Sequence, residues 1–378
     1  MAEMIEYSHA KTLYFTSTRH YILDNINSSN LVSNYQLEAR ILTTVFEQFP
    51  EREHLVYLLE NFHSISQELS FSGIQFLAYL NCKTILRGAS ECNLRQLQES
   101  ILRVTLTQED GAIWYVDIPY SQDVENIISE MKKWISIQMQ QAKLEYDSEF
   151  SWEKIDSVIL APRAAAYLVH EIFGHTLEYD YVKSGRSVVR AGDKGSRIFP
   201  PGITIKDAPL SATNLGLKFS TSDDVGRPLQ DITIVRDGII ENFIMNQRAS
   251  SYNNEPLFRM YNLFADANSN GENLETIIKN TESGVVINQI PNGFINPEIG
   301  TFSLQCSDCM SVCSGKINKR VPSITLKSTL HSVADSLIHI GSDLENSVSY
   351  CSKNGQVVPV GVGSPSFVFN IDIIGSRD

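Results

Sequence analysis

Hairpin signals after residue 155 constrain the fold of this chain most strongly. "DITIVRDGIIENFIM" places Asp237-Gly238, and "SYCSKNGQVVPVGVG" places Asn354-Gly355, between two apolar runs. Such pairs indicate tight hairpin turns, because both central residues of a type I′ turn need positive φ. "GTFSLQC", "VPSITL" and "SFVFNIDIIG" supply further strands. The sequence therefore predicts a mainly antiparallel β domain over residues 156–378.

The first 155 residues mix helical and strand patterns. Apolar residues three and four apart in "LEARILTTVFEQF" and "HLVYLLENFHSISQEL" predict amphipathic helices. "IQFLAYLNCKTIL" and "ILRVTLTQEDGAIWYVDI" predict strands, the second a hairpin turning at Asp110-Gly111. "DVENIISEMKKWISIQMQQAKLEY" predicts a long helix, whose buried stripe comprises Ile127, Ile128, Met131, Trp134, Ile135 and Leu144. We expect an N-terminal α+β domain over residues 1–155, and α+β as the fold class.

One polar, asparagine-rich stretch lies between the predicted strands. Residues 253–284 contain few long apolar runs and several asparagines. Such composition is typical of loops. We therefore predict a long surface loop that carries one short helix.

Two histidines lie on a predicted helix at the junction of the two domains. In "VILAPRAAAYLVHEIFGHTLE" a short strand precedes an alanine-rich helix with His170, Glu171 and His175. Side chains five residues apart point about 140° apart on an ideal helix, against about 40° at four-residue spacing. That separation is too wide for one ion at roughly 2 Å from each nitrogen. A π-bulge or a break of the helix at Phe173-Gly174 would bring His175 back onto the face of His170, and glycine tolerates the backbone angles that this requires. Taken alone, two histidines five residues apart in a helix are more often surface or capping residues than metal ligands.

Composition excludes several classes of partner. The net charge of −13 and the pI of about 5.1 argue against a nucleic-acid partner, which would require a basic face. No apolar run approaches the roughly 20 residues of a membrane span. The first 20 residues lack a basic segment followed by an apolar one, and six cysteines are too sparse for a disulfide scaffold. We expect a cytoplasmic protein without a membrane partner.

Several segments together resemble the TldD/PmbA family of metallopeptidases, in its catalytic TldD-like branch. "APRAAAYLVHEIFGHTLEYD" is similar to the HExxxH segment of that family. "SDDVGRP", "VRDGIIENFIMNQRA" and "FRMYN" resemble segments that follow it, and "IHIGSDLE" with "CSKNGQVVPVGVGSPSFVFNIDIIG" resembles the C-terminal signature. The resemblance covers roughly residues 155–378 and is weak over the first 150.

The resemblance implies a metal site and an activity. The ligands of one Zn²⁺ per chain would be His170, His175 and Cys351, and Glu171 would be the catalytic base. The activity would be zinc-dependent hydrolysis of unfolded peptides or of a peptide precursor, including leader removal during maturation of a modified peptide. Glu171 would assist attack by zinc-bound water. The resemblance also implies a homodimer, or a heterodimer with a metal-free paralogue.

Three further residues are candidates for supporting roles. Glu178 either hydrogen-bonds a ligand histidine or forms a salt bridge at the surface. The resemblance implies a peptide bound in extended form along a sheet edge. Gly361 and Gly363 in "VVPVGVGSP" would let its backbone approach closely, or else this segment is an ordinary core strand.

Two other functions compete with the peptidase. A non-catalytic partner subunit would guide peptides to a paralogous peptidase, but it should lack the metal-site residues, which are all present here. A metal- or redox-binding protein could instead use Cys306, Cys309 and Cys313 of "CSDCMSVC", which departs from the family pattern. These cysteines could hold a second zinc or an iron–sulfur cluster, or could be small buried apolar residues.

Overall fold

The computed structural model describes part of the chain. It describes the backbone of residues 4–5, 12–23 and 73–87, and most of residues 101–373. Within 101–373 it leaves out residues 108–112, 120–123, 213–216, 218–222, 224–226, 249–256 and 355. The predicted helices at 37–49 and 54–69, the Asp110-Gly111 turn and Gly355 therefore lie outside the described residues.

The described residues of the N-terminal part form an antiparallel five-stranded sheet and one long helix. Its strands, in spatial order β1 to β5, are Met4–Ile5, Thr12–Leu23, Gly73–Arg87, Ile101–Thr107 and Ile113–Pro119. The strands predicted for "IQFLAYLNCKTIL" and for the 101–118 hairpin are confirmed. Helix α1 (Val124–Gln141) buries five of the six predicted stripe residues, while Leu144 lies beyond its end and is partly buried.

Two larger sheets form the rest of the fold. Their strands are β6 (Ser157–Leu160), β7 (Ile205–Asp207), β8 (Ile232–Arg236), β9 (Ile239–Ile240), β10 (Gln247–Arg248), β11 (Leu257–Phe258), β12 (Asn262–Ala265), β13 (Ser283–Asn296), β14 (Thr301–Cys313), β15 (Lys316–Val321), β16 (Ile324–Thr329), β17 (Leu337–Ile340), β18 (Glu345–Lys353), β19 (Gln356–Ser364) and β20 (Phe367–Asn370). One sheet has the order β18-β19-β12-β7-β8-β9, and the other has β15-β14-β13-β6-β20-β17 with β16 beside β14; β10 and β11 form a separate pair. The described pairs are antiparallel except β6–β13 and β12–β19.

The predicted turns are present where the structure describes them. Asp237 has φ 48° and Gly238 has φ 76°, so both occupy the positive-φ region that a tight hairpin needs. Asn354, between β18 and β19, has φ 49°. The mixed α+β character is thereby confirmed, with sheet as the main component, while the domain boundary at residue 155 stays a prediction.

The predicted loop at 253–284 is wrong in part. Strand β12 lies inside it, between β7 and β19, and Leu263 and Ala265 are buried. An interior strand of four residues gives too little periodicity to be distinguished from a loop. The short helix is present as Leu274–Asn280, and the Asn273 side chain caps it by accepting a hydrogen bond from Thr276 N at 3.0 Å.

The predicted histidine helix packs in the interior of the fold. Helix α2 (Pro162–Leu168) contacts β18 and β19 of one sheet and β13 of the other. Ala164, Ala165 and Ala166 are buried, and their small side chains allow close approach of the strands. The helix therefore presents its C-terminal end to the hairpin β18–β19. No helix among the described residues is long and apolar enough to cross a membrane.

Candidate metal centre

The helix that carries the histidines changes its winding at the site. Helix α2 continues directly into a π-helical turn, Val169–Gly174. Each hydrogen-bonded turn of a π-helix contains one residue more than a turn of an α-helix. Positions five residues apart therefore lie on one face. The ring centroids of His170 and His175 are 5.0 Å apart. The predicted distortion is therefore confirmed.

Gly174 is needed for space and not for an unusual backbone angle. Its φ is not in the positive region, which was the basis of the sequence argument. A Cβ at this position would overlap the sulfur of Met260 and lie 3.1 Å from Leu263 Cδ2. Both neighbours are fully or almost fully buried. Glycine thus lets the π-helical turn lie directly against β12.

Gly174→Ala is expected to lower the free energy of unfolding by about 1–3 kcal/mol, because the added methyl group overpacks the interior at Met260. Chemical denaturation should measure the loss. Gly192→Ala is the matched control, since a Cβ there meets nothing within 4 Å. The loss should shrink in a Met260→Val background. An equal loss in both backgrounds would contradict this packing explanation.

The third donor comes from the edge of a sheet, far away in sequence. Cys351 lies on β18, and its Sγ is 3.2 Å from His175 Nε2. The donor atoms of His170, His175 and Cys351 all lie within 4.8 Å of one another, and the three residues are buried. This is the residue set that the family resemblance implied.

Charges around Cys351 favour its thiolate. Burial acts to raise the pKa of the thiol, but the positive charge of Arg259 and the two histidines outweigh it, so the pKa lies well below its usual value. Burial acts to lower the pKa of His175, but Cys351 and Glu178 outweigh it and raise that pKa. Arg259 is completely buried and donates to the Cys351 carbonyl at 2.9 Å. The thiolate is the form of cysteine that binds metals.

The donor set fits a zinc ion. Two imidazoles and a thiolate are typical zinc ligands, and a three-ligand set leaves one position open for chemistry. His170 Nδ1 is buried and finds no hydrogen-bond partner in the described part of the chain, although buried nitrogens are normally satisfied. A ligand to the histidine pair would compensate for that cost.

Glu171 lies beside the three donors and lines a cleft of about 610 Å³. Only 8% of its surface is exposed, and burial is the main cause that raises the pKa of its carboxyl group. The two histidines act to lower this pKa, and a hydrogen bond from Tyr167 does so as well. Tyr167 and Glu171 both line the cleft.

Glu178 forms a buried network behind His175. Its Oε2 accepts a hydrogen bond from His175 Nδ1 at 3.0 Å and from Lys353 Nζ at 2.8 Å. Burial acts to raise the pKa of Glu178, but Lys353 and His175 lower it to about 2. Lys353 also contacts Asp180 at 2.8 Å. Of the two roles considered for Glu178, the hydrogen bond to a candidate ligand histidine matches these contacts.

Lys353 and Arg259 were not identified from the sequence. Lys353 lies two residues after Cys351, so the two side chains project from the same face of β18. From the sequence alone, this two-residue spacing could have indicated that Lys353 lies near Cys351. Arg259 lies in "FRMYN", which resembles a family segment, but its contact with Cys351 was not predicted because it depends on the folding together of segments 92 residues apart.

Gly361 and Gly363 do not lie at a sheet edge. Strand β19 pairs with β18 on one side and with β12 on the other. The predicted role of these glycines in peptide binding at an edge is therefore contradicted, and the alternative of a core strand is correct. A Cβ at Gly363 would overlap Asn346 Oδ1, so this glycine allows β18 and β19 to pack closely.

The cysteines of "CSDCMSVC" do not form a second metal site with other residues in the described ranges. Cys306 and Cys309 are buried in the apolar core, while Cys313 is exposed at the end of β14. Burial raises the pKa of Cys306 to about 12 and also raises that of Cys309. Among described residues, the only group of three or more potential ligands is His170, His175 and Cys351. The reading as small buried residues fits Cys306 and Cys309.

Comparisons with known proteins identify relatives of this chain. Residues 153–375 match the family model described as PmbA/TldA metallopeptidase C-terminal domain. The metalloprotease TldD homolog of Haemophilus influenzae is 28% identical over 237 residues, 58% of this chain and 48% of that protein. The zinc metalloprotease TldD homolog of Saccharolobus solfataricus is 27% identical over 223 residues, 55% of this chain and 48% of that protein. This chain spans about half the length of these curated relatives.

Solved structures share the fold. TldE from Thermococcus kodakarensis superposes with a TM-score of 0.59 at 14% identity, covering 84% of this chain and 74% of that chain. A Thermotoga maritima protein described as a modulator of a DNA gyrase gives 0.59 at 18% identity, covering 85% and 75%. The family model covers more than half of the chain, and it covers the histidine helix and the Cys351 hairpin together. The chain therefore belongs to the TldD/PmbA family of metallopeptidases.

Proposed function

We propose that this chain is a zinc-dependent peptidase with one Zn²⁺ held by His170, His175 and Cys351. The observation that carries this proposal is the convergence of these three buried donors, with His175, Cys351 and Glu171 lining one cleft. The names of the matched relatives, metalloprotease and zinc metalloprotease, support the same activity. A non-catalytic subunit would have no need of a complete donor set with an adjacent carboxylate.

Glu171 is the proton carrier of the proposed reaction. Zinc supplies Lewis acidity, which polarises a carbonyl group and lowers the pKa of water. Glu171 accepts a proton from the attacking water and passes it to the nitrogen of the breaking C–N bond, so the products are a carboxylate and an amine. Burial raises the pKa of the Glu171 carboxyl group. A raised pKa favours a group that must first accept a proton and then donate it near neutral pH.

Tyr167 holds Glu171 in place for that role. The hydroxyl group donates a hydrogen bond to the carboxylate. The Tyr167 ring packs against Gly293, where a Cβ would lie 2.8 Å from ring atom Cε1. The absence of a side chain at Gly293 thus permits this ring position, and the carboxylate is fixed before any substrate binds.

The substrate is a peptide in extended form, bound at the open edge of β18. Strand β18 is the last strand of its sheet, and in the described residues only β19 pairs with it. Gly361 N, opposite Val348, donates to Tyr261 O across the other side of β19. The backbone groups of Val348 therefore point away from β19, towards the side of β18 on which no described strand pairs. A peptide paired there would pass Cys351 and the cleft.

The cleft favours peptides over compact proteins as substrates. Its donors are buried, so the scissile bond must enter a cavity that a folded protein surface does not fit. Unfolded segments and precursor peptides both meet this requirement, and leader removal from a modified precursor is one instance. We propose that the working assembly is a dimer, with a second copy or with a metal-free relative, as the TldE fold neighbour suggests.

Removal of zinc should abolish hydrolysis. The test uses the purified full chain, alone and with a co-encoded relative if one is found, on a mixture of unstructured peptides analysed by mass spectrometry. We expect about one zinc per chain, loss of cleavage after chelation and recovery on adding zinc. Cleavage that continues in the fully metal-depleted protein would overturn the proposal.

A further inference from the structure

A second cavity, of about 500 Å³, lies beside the first half of β18. It is bounded by β5, helix α1 and the start of β18. None of its lining residues belongs to the metal centre. Residues 345–348 of β18 line this cavity, and residues 349–353 of the same strand line the metal cleft. One edge strand is therefore a wall of both.

The spacing along β18 relates the two cavities. Ser347 lies four residues before Cys351. A strand rises by about 3.4 Å per residue, so the two positions are about 14 Å apart. A peptide paired with β18 has the same rise. A side chain about four residues from the scissile bond would therefore reach the second cavity.

The wall of this second cavity contains an apolar patch between helix α1 and β5. Trp134 and Ile137 from helix α1 face Val116 and Ile118 from β5. Ile137 is 46% exposed, whereas Trp134 is 9% exposed and fixed in place. Charged side chains of both signs also line it: Asp117, Glu130, Lys133, Arg163 and Glu345. Because both signs of charge are present, the cavity has no clear preference for a charged side chain. Its apolar residues favour an apolar side chain.

We propose that this cavity is a specificity subsite, which receives a large apolar side chain of the peptide about four residues from the bond cleaved at the metal centre. The inference rests on the proposed function, because it takes the same extended peptide as its occupant. The peptide is the proposed occupant because β18 lines both cavities. A peptide paired with this strand would pass both of them in a fixed register. The substrate class thereby narrows to extended peptides with an aromatic or large aliphatic residue at a fixed distance from the cleavage site.

The test uses a serine-rich parent peptide with one cleavable bond. Tryptophan is placed singly at three, four and five residues from that bond, on each side in turn. We expect kcat/KM to rise about tenfold or more at one of these positions, since a large apolar side chain leaves water there. Equal kcat/KM values for all the peptides would overturn the subsite.

Ile137→Glu is the variant that reports on the cavity. The ratio of kcat/KM between the best tryptophan peptide and the parent should fall to about one. Ile338→Glu is the matched control, because Ile338 is 60% exposed on β17 and lines neither cavity. Its ratio should equal that of the unaltered protein. A preference that survives Ile137→Glu would also overturn the subsite.

A binding measurement separates this inference from the proposed activity. Fluorescence anisotropy of labelled peptides needs no cleavage. We expect one tryptophan peptide to bind more tightly than the parent, and Ile137→Glu to weaken its binding about tenfold. This result supports the subsite even if no peptide is hydrolysed. Hydrolysis of the parent without any positional preference in binding or cleavage supports the peptidase and overturns the subsite.

Discussion

Glu171→Gln should keep zinc and lose peptide hydrolysis by about 100- to 10,000-fold in kcat/KM, the range that a general base contributes. Glutamine has the size of glutamate and preserves the packing of this buried position, but its amide cannot accept the proton of the attacking water. The hydrogen bond from Tyr167 can still be accepted by the amide oxygen. Steady-state kinetics and elemental analysis of zinc should be made on the same preparation.

Glu145→Gln is the matched control for this substitution, because the Glu145 side chain is 83% exposed and pairs with the surface residue Lys319, at 3.6 Å. Its kinetics should equal those of the unaltered protein. Undiminished turnover by Glu171→Gln would remove Glu171 as the base. Loss of zinc from that variant would instead assign Glu171 to the ligand set.

Cys351→Ser should lose zinc. A serine hydroxyl is not ionised near neutral pH, whereas the surroundings of Cys351 lower the pKa of its thiol well below the usual value. Loss of groups that only support a ligand weakens metal binding by 10- to 100-fold, so loss of a ligand should weaken it by more than about 100-fold. Zinc content after dialysis against a competing chelator measures the effect.

Cys313→Ser is the control, since Cys313 is exposed and does not belong to the group of three donors. It should retain its zinc and its activity. Full zinc occupancy in Cys351→Ser would exclude Cys351 from the ligands. Loss of zinc in Cys313→Ser, with Cys351 intact, would indicate that metal binds elsewhere in the chain.

The sequence predicted the features that depend on local geometry. The five-residue spacing of His170 and His175 required a π-bulge, and the helix winds in that way. The dipeptide at Asp237-Gly238 required a turn with positive φ, which is present. In both cases a few neighbouring residues determine the backbone, so no knowledge of the distant chain was needed.

Features that depend on distant segments were missed. Strand β12 is recognisable only from its neighbours β7 and β19, which lie about 55 and 100 residues away in sequence. The same limit applied to Gly361 and Gly363, because their pattern does not reveal whether β19 has a strand on each side. The ion pair of Lys353 and Glu178 joins residues 175 positions apart, and neither composition nor periodicity indicates it.

That ion pair has a consequence for how the protein acquires its metal. Lys353 and Glu178 join the Cys351 hairpin to the histidine helix with protein atoms alone, across nearly the same span of chain as the 176 residues between His175 and Cys351. The entropic cost of closing that long loop is offset by interactions that form when the chain folds. Zinc would thus bind a site that is already assembled, and its binding free energy would not be needed to order the chain.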